Sequence, residues 1–312
     1  MKQAVLLVAH GTIDELDDLP AFVTNIRRGH AAPPELIAEL RRRYEAIGGR
    51  SPLNAITREV ASKLEARLGV PVRMAMRLWR PYPREVIAAL EEEGVTRIAV
   101  VPLAQHSAYV YEGAVRDAVR DAGSQVELAC ATNWGRSPDL TRAFADALVR
   151  SIEAVPEASW PTTTVLMTAH SLPLFILRGG DPYETEVRAS AEAVAAEVSR
   201  RLGARAPKHE VAFQSQGMSQ GPGGKPVEWL GPDLVAALDA AKARGDTHVV
   251  AAPIGFLADH VEILYDLDVE ATAWAKERGL TLTRTASLNA SEAIVLALAR
   301  VAEPLLRPGG AA

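Results

Sequence analysis

Two rhythms of apolar residues alternate along this chain. Short runs rich in Val, Leu, Ile and Ala predict strands over residues 4–9, 71–76, 97–103, 126–131, 163–168, 210–214, 249–253 and 281–285. Between them, apolar residues recur every three or four positions and predict helices over 35–46, 58–68, 84–93, 110–122, 139–154, 184–202, 234–244, 260–279 and 291–306. Phe22, Val23 and Ile26 share the same helical spacing. Several helical stretches stop at a glycine, among them Gly48, Gly69, Gly94, Gly123 and Gly245. Strand–helix alternation over the whole length predicts an α/β fold, with parallel sheets covered by helices on both faces.

The pattern also repeats. VLLVAHGT at residues 5–12 is answered by VLMTAHSL at 165–172, and VVPLAQH at 100–106 resembles VAAPIGF from Val250. A single duplication of this kind predicts two similar lobes and not a solenoid. We expect an N-terminal lobe over residues 1–155 and a C-terminal lobe over 156–312. In parallel α/β sheets, ligands bind beyond the carboxyl ends of the strands. Four of the seven histidines, His10, His106, His170 and His260, stand at or just past such ends. They are therefore expected to point into a cleft between the lobes.

Composition narrows the classes. The chain has 312 residues, of which 48% are hydrophobic, enough for a sizeable core. A net charge of −5 argues against a general nucleic-acid binder. No apolar run approaches the length of a membrane span, so a cytoplasmic protein is expected, with contact at a membrane surface left open. Cys130 is the only cysteine, which rules out an intramolecular disulfide and a Cys-rich zinc or iron–sulfur site within one chain. A metal here must use His and carboxylate.

Candidate chemistry concentrates in four places. Asp259, Glu262, Asp266 and Glu270 follow one another at intervals of three, four and four, which on an α-helix puts their carboxylates on one face. Their repulsion suits a solvated face or a divalent cation, oxygen ligands favouring Mg²⁺, Ca²⁺ or Mn²⁺ and imidazole favouring iron or zinc. His170 and Glu262 both lie at carboxyl edges of strands in the second lobe, so they are expected to face each other, the carboxylate raising the basicity of the imidazole for proton abstraction. Residues 19–34 carry Phe22, Val23 and Ile26 followed by Arg27, Arg28 and His30. This reads as a surface helix with a basic end, or as an apolar lip over a large flat ligand with guanidiniums for its carboxylates. Residues 48–53, GGRSPL, form a tight turn that is not a P-loop. The long segment 213–233, FQSQGMSQGPGGKPVEWLGPD, carries Trp229 and Leu230 and is expected to be a functional loop.

LLVAHGT, FVTNIRRGH, LIAELRRRYEAIGGRSPLNAIT, TAHSLP with GDPY, FQSQG with EWLGPD, and PIGFLADHVEILYDLDVE stand in the order found in ferrochelatases, and the resemblance runs nearly end to end. It implies two flavodoxin-like lobes with a cleft between them, and insertion of Fe²⁺ into a porphyrin late in heme synthesis. It implies that His170 and Glu262 are the catalytic pair at the metal-entry site. Asp266 and Glu270 would then be further metal-binding carboxylates with room for an auxiliary Mg²⁺. Arg27 and Arg28 would meet the porphyrin propionates, Ser51 the turn beside the macrocycle, and Ile26 the apolar lip. Clamping a planar macrocycle out of plane would let its pyrrole nitrogens present lone pairs to the metal.

Partners implied are porphyrin and Fe²⁺, with peripheral membrane contact and handover from the preceding oxidase of heme synthesis as further expectations. No cofactor beyond the substrate iron, and no iron–sulfur cluster, is expected. Departures from the family pattern are His10 in AHGT, as in sirohydrochlorin cobaltochelatases, and Asp14 where some relatives carry a metal-facing Tyr. Protoporphyrin IX is the expected substrate. Coproporphyrin III, a cobalt or nickel chelatase acting on another tetrapyrrole, and a non-catalytic porphyrin carrier are the alternatives. A carrier would have no need of His170 and Glu262, and both are present.

Overall fold

A computed structural model describes residues 2–217 and 226–307. Every apolar run becomes a strand: β1 Gln3–Ala9, β2 Val72–Met76, β3 Arg97–Pro102, β4 Glu127–Cys130, β5 Thr163–His170, β6 Lys208–Gln214, β7 His248–Ala252 and β8 Thr281–Arg284. They pair in two parallel sheets of four strands, in the orders β2-β1-β3-β4 and β6-β5-β7-β8. The two orders are the same pattern repeated, so the sequence duplication is also a duplication of topology. β1 and β5, which carry the repeated motif, occupy the same place in their sheets. Their residues are buried almost throughout, as expected of strands covered on both faces.

The helices are α1 Leu19–Ile26, α2 Pro34–Ala46, α3 Leu53–Leu68, α4 Pro83–Glu92, α5 Ala108–Ala122, α6 Pro138–Glu153, α7 Leu174–Arg178, α8 Tyr183–Leu202, α9 Leu234–Ala243, α10 Val261–Tyr265, α11 Thr272–Glu277 and α12 Glu292–Leu305. α3 begins five residues earlier than its apolar spacing announced, directly after Pro52. The stretch expected as one helix over 260–279 is α10, a π-helical turn at Asp266–Ala271, and α11. Among the described residues no helix is long and apolar enough to cross a membrane.

The chain forms two compact units: Met1–Asp139 with Leu257–Val261 and Asn289–Ala312, and Leu140–Phe256 with Glu262–Leu288. Although they follow position 156, α12 and residues 257–261 belong to the first unit. The reason is packing. α12 lies on α3 and β3, Arg97 of β3 donates to the Leu305 carbonyl at 3.2 Å, and Lys63 of α3 donates to the Ala290 carbonyl at 2.7 Å. Val261 joins Ile13, Leu19, Phe22 and Tyr44 in a cluster under α1 and α2. At the other chain crossing, Asn289 donates to the Asp259 carboxylate at 2.9 Å and its side-chain oxygen accepts the Asp259 N–H at 2.8 Å.

Candidate active site

In the second unit, β5 ends at His170 and β6 ends at Gln214, its partner in strand register. The end of β5 is held tightly. Ser171 N–H donates to the Gln214 carbonyl at 2.7 Å, Ser171 Oγ donates to the Leu230 carbonyl at 2.8 Å, and the Tyr183 hydroxyl donates to the His170 carbonyl at 2.9 Å. On the other side, Gly255 lies so close to β5 that an added Cβ would sit 2.5 Å from the Ala169 Cβ. These contacts leave the His170 side chain about one-third exposed at the carboxyl edge of the sheet.

Glu262 lies in the first turn of α10, and its Oε1 is 3.7 Å from His170 Nε2. The opposite ring nitrogen of His170, Nδ1, meets the Ser171 carbonyl. A carbonyl only accepts, so Nδ1 carries the proton and the neutral ring keeps its lone pair on Nε2, beside the carboxylate. Chemically, such a lone pair can accept a proton or a metal ion, and a neighbouring carboxylate can stabilise either.

The acidic stripe is only partly the one the spacing announced. Asp259 stands before α10 and is capped by Asn289, so it does not share the helix face. Asp266 opens the π-turn, is 4% exposed, and accepts a hydrogen bond from the Ser215 hydroxyl. Asp268 is paired with Arg284 at 2.6 Å, and Glu270 is half-buried on the same turn. Among the described residues no group of three or more His, Cys, Asp or Glu side chains is placed to hold a metal ion.

The remaining candidates lie in the first unit. Ile26 ends α1 with 42% exposure, while its neighbours Phe22 and Val23 turn inward and Phe22 meets Trp79 edge to face at 5.7 Å. Arg27 donates to the His30 carbonyl at 3.3 Å, and Arg28 is exposed in the left-handed region at φ 55°. Ser51 is buried at the start of α3, where its hydroxyl accepts the Leu53 N–H at 3.4 Å. Asp14, the departure from the family pattern, takes a hydrogen bond from Asn54 at 3.2 Å and pairs with Arg58 at 3.6 Å.

Of the four histidines expected at an open edge, His10 is exposed and His260 half-buried, but His106 is 2% exposed. Burial pushes the pKa of His106 down to about 4, so it is a neutral core residue and not a ligand-facing one. Position at a strand end did not reveal which way its ring turns. In the loop 213–233, residues 218–225 lie outside the described residues. Its far end is packed, Trp229 bridging to Pro173 and meeting Gly217, and Leu230 buried beside Phe213 and Tyr183. The residues the sequence did not single out are Gln214 and Ser215. Only their place at the end of a strand, inside FQSQG, marked them.

The Ferrochelatase family model matches residues 2–305. A ferrochelatase of Acidobacterium capsulatum is 38% identical, the match covering 97% of this chain and 94% of that one. A coproporphyrin III ferrochelatase of Mycobacterium ulcerans is 33% identical over 98% of this chain and 88% of its own length. Among solved structures, SirB from Bacillus subtilis with Fe³⁺ superposes with a TM-score of 0.60 at 15% identity, covering 98% of this chain and 96% of that one, a likeness of fold.

Proposed function

This chain belongs to the ferrochelatase family of metal-inserting lyases, and from that premise we propose that it inserts Fe²⁺ into protoporphyrin IX through His170 and Glu262. The observation that carries the reading is the 3.7 Å approach of Glu262 to the ring nitrogen of His170 whose lone pair is left open by the Nδ1 contact. Insertion exchanges one dication for the two pyrrole N–H protons of the macrocycle. His170 Nε2 takes one proton, the Glu262 carboxylate stabilises the resulting imidazolium, and the second proton leaves to solvent. Iron is a substrate here, and Asp266 and Glu270 add negative charge to the same helical segment as Glu262.

Arg27 and Arg28 supply two guanidiniums, the number that two propionates require, which favours protoporphyrin IX. Asp14, which is paired with Asn54 and Arg58, supports the same branch by its likeness to relatives that take protoporphyrin IX. Coproporphyrin III, with four propionates, is the second reading, favoured by relatives that carry that substrate in their names.

Anaerobic Fe²⁺ insertion by the purified protein, followed by the change in porphyrin absorption, separates the branches. A higher kcat/KM for protoporphyrin IX is expected, and a preference for coproporphyrin III replaces the first reading by the second. His170→Ala should abolish insertion and keep porphyrin binding. Full activity in that variant removes His170 from the reaction.

A further inference from the structure

We propose that Gln214 and Ser215 are positioning residues for this reaction, a clamp that holds Glu262 and the π-turn at working distance from His170. The inference rests on the reading of His170 and Glu262 as the reacting pair.

Gln214 is tied to both partners. Its backbone carbonyl accepts the Ser171 N–H next to His170, and its side chain, 2% exposed, donates from Nε2 to the Glu262 carbonyl at 3.1 Å. The acceptor settles the orientation of the amide, since the opposite one would set two oxygens against each other. Its Oε1 is left buried without a hydrogen-bond partner. Ser215 follows at φ 61°, a left-handed conformation that is costly for a residue with a Cβ, and its hydroxyl donates to buried Asp266.

Two consecutive side chains therefore grip one helical segment at two points four residues apart, the first turn of α10 and the start of the π-turn. Ending β6 requires neither an orphaned acceptor nor a strained serine. Both are explained if the separation of His170 and Glu262 must be held against the looseness of a widened helical turn.

The clamp is tested in the full chain with two substitutions that spare the fold. Ser215→Gly relaxes the backbone while removing the hydroxyl, and Gln214→Met keeps length and packing while removing the donor. Each should lower kcat for Fe²⁺ insertion by about 10- to 100-fold. The KM for porphyrin, and porphyrin binding read by fluorescence, should stay within about twofold, the signature of an interaction used in the reaction and not in binding. Ser215→Gly should melt no lower than the parent. Ser215→Asn, which tolerates the left-handed backbone and restores a donor, should recover part of the rate.

An unchanged kcat in both variants overturns the clamp, and so does a loss of rate that tracks a lower melting temperature and a raised KM. Failure of the unmutated chain to insert iron is a separate result: it removes the reading on which the clamp rests, and the clamp with it.

Discussion

At the scale of single residues, type and place in the sequence identify chemistry, and burial decides whether that chemistry is available. His170 and His106 follow similar strands, yet one ring is held at an open edge by Ser171 and Glu262 and the other is sealed in the core. Sealing has a measurable consequence for His106. Its pKa is lowered from the ordinary 6.5 to about 4, so between these values the unfolded chain takes up a proton at this site that the folded chain refuses. Stability supported by the neutral ring is thus complete above pH 6.5 and is lost as pH falls toward 4, by about 3 kcal/mol at the lower end. His106→Gln should cost stability at neutral pH, yet its melting temperature should fall less steeply than the parent's between pH 6.5 and 4. Parallel curves would assign the acid sensitivity to carboxylates elsewhere. This difference between the two histidines is not legible in the sequence, because strand-end position sets the backbone and leaves the direction of the ring to packing.

Elements carried most of the legible information. Eight strands follow from eight apolar runs, since a strand covered on both faces must be nearly all apolar to be buried. The π-turn was not legible. Carboxylates at 262, 266 and 270 satisfy a regular helix as well as a widened one, and nothing in the spacing records which carbonyl accepts which N–H. The close approach of Gly255 to β5 was equally silent, because a glycine before an aromatic reads as an ordinary turn. It is a demanding position: a Cβ there would stand 2.5 Å from the Ala169 Cβ and 2.6 Å from its Cα, and backbone cannot step aside as a flexible side-chain tip does. Gly255→Ala should therefore destabilise the protein by about 1–3 kcal/mol through overpacking. Because Ala169 immediately precedes His170, the same variant should lower insertion activity by more than its loss of folded protein explains, as seen by comparing kcat per folded molecule with the melting curve. A variant as stable and active as the parent would mean that the two segments separate freely.

At the scale of the molecule, the duplication was visible in residues and is repeated in strand order, but the ownership of the last helix was not. An apolar stripe on α12 announces that one face is buried without saying against what. It packs on α3 and β3 of the first unit, so the N-terminal sheet is completed by residues nearly three hundred positions after it starts. Ile294, Val295, Leu298 and Leu305 are each at most 3% exposed, and burying four such side chains contributes about 6–12 kcal/mol. That matches the whole stability of an ordinary domain, about 5–15 kcal/mol. Truncation after Ala290 should accordingly abolish the cooperative melting of the first unit, with loss of near-ultraviolet dichroism from its aromatic cluster around Phe22 and Trp79. Arg97→Met is the milder probe. It removes the donor to Leu305 while keeping an apolar stem in place, and should lower the melting temperature by only a few degrees. A truncated chain that still melts cooperatively would show that the first unit closes its core without the helix, and that the return of the chain serves something other than its stability.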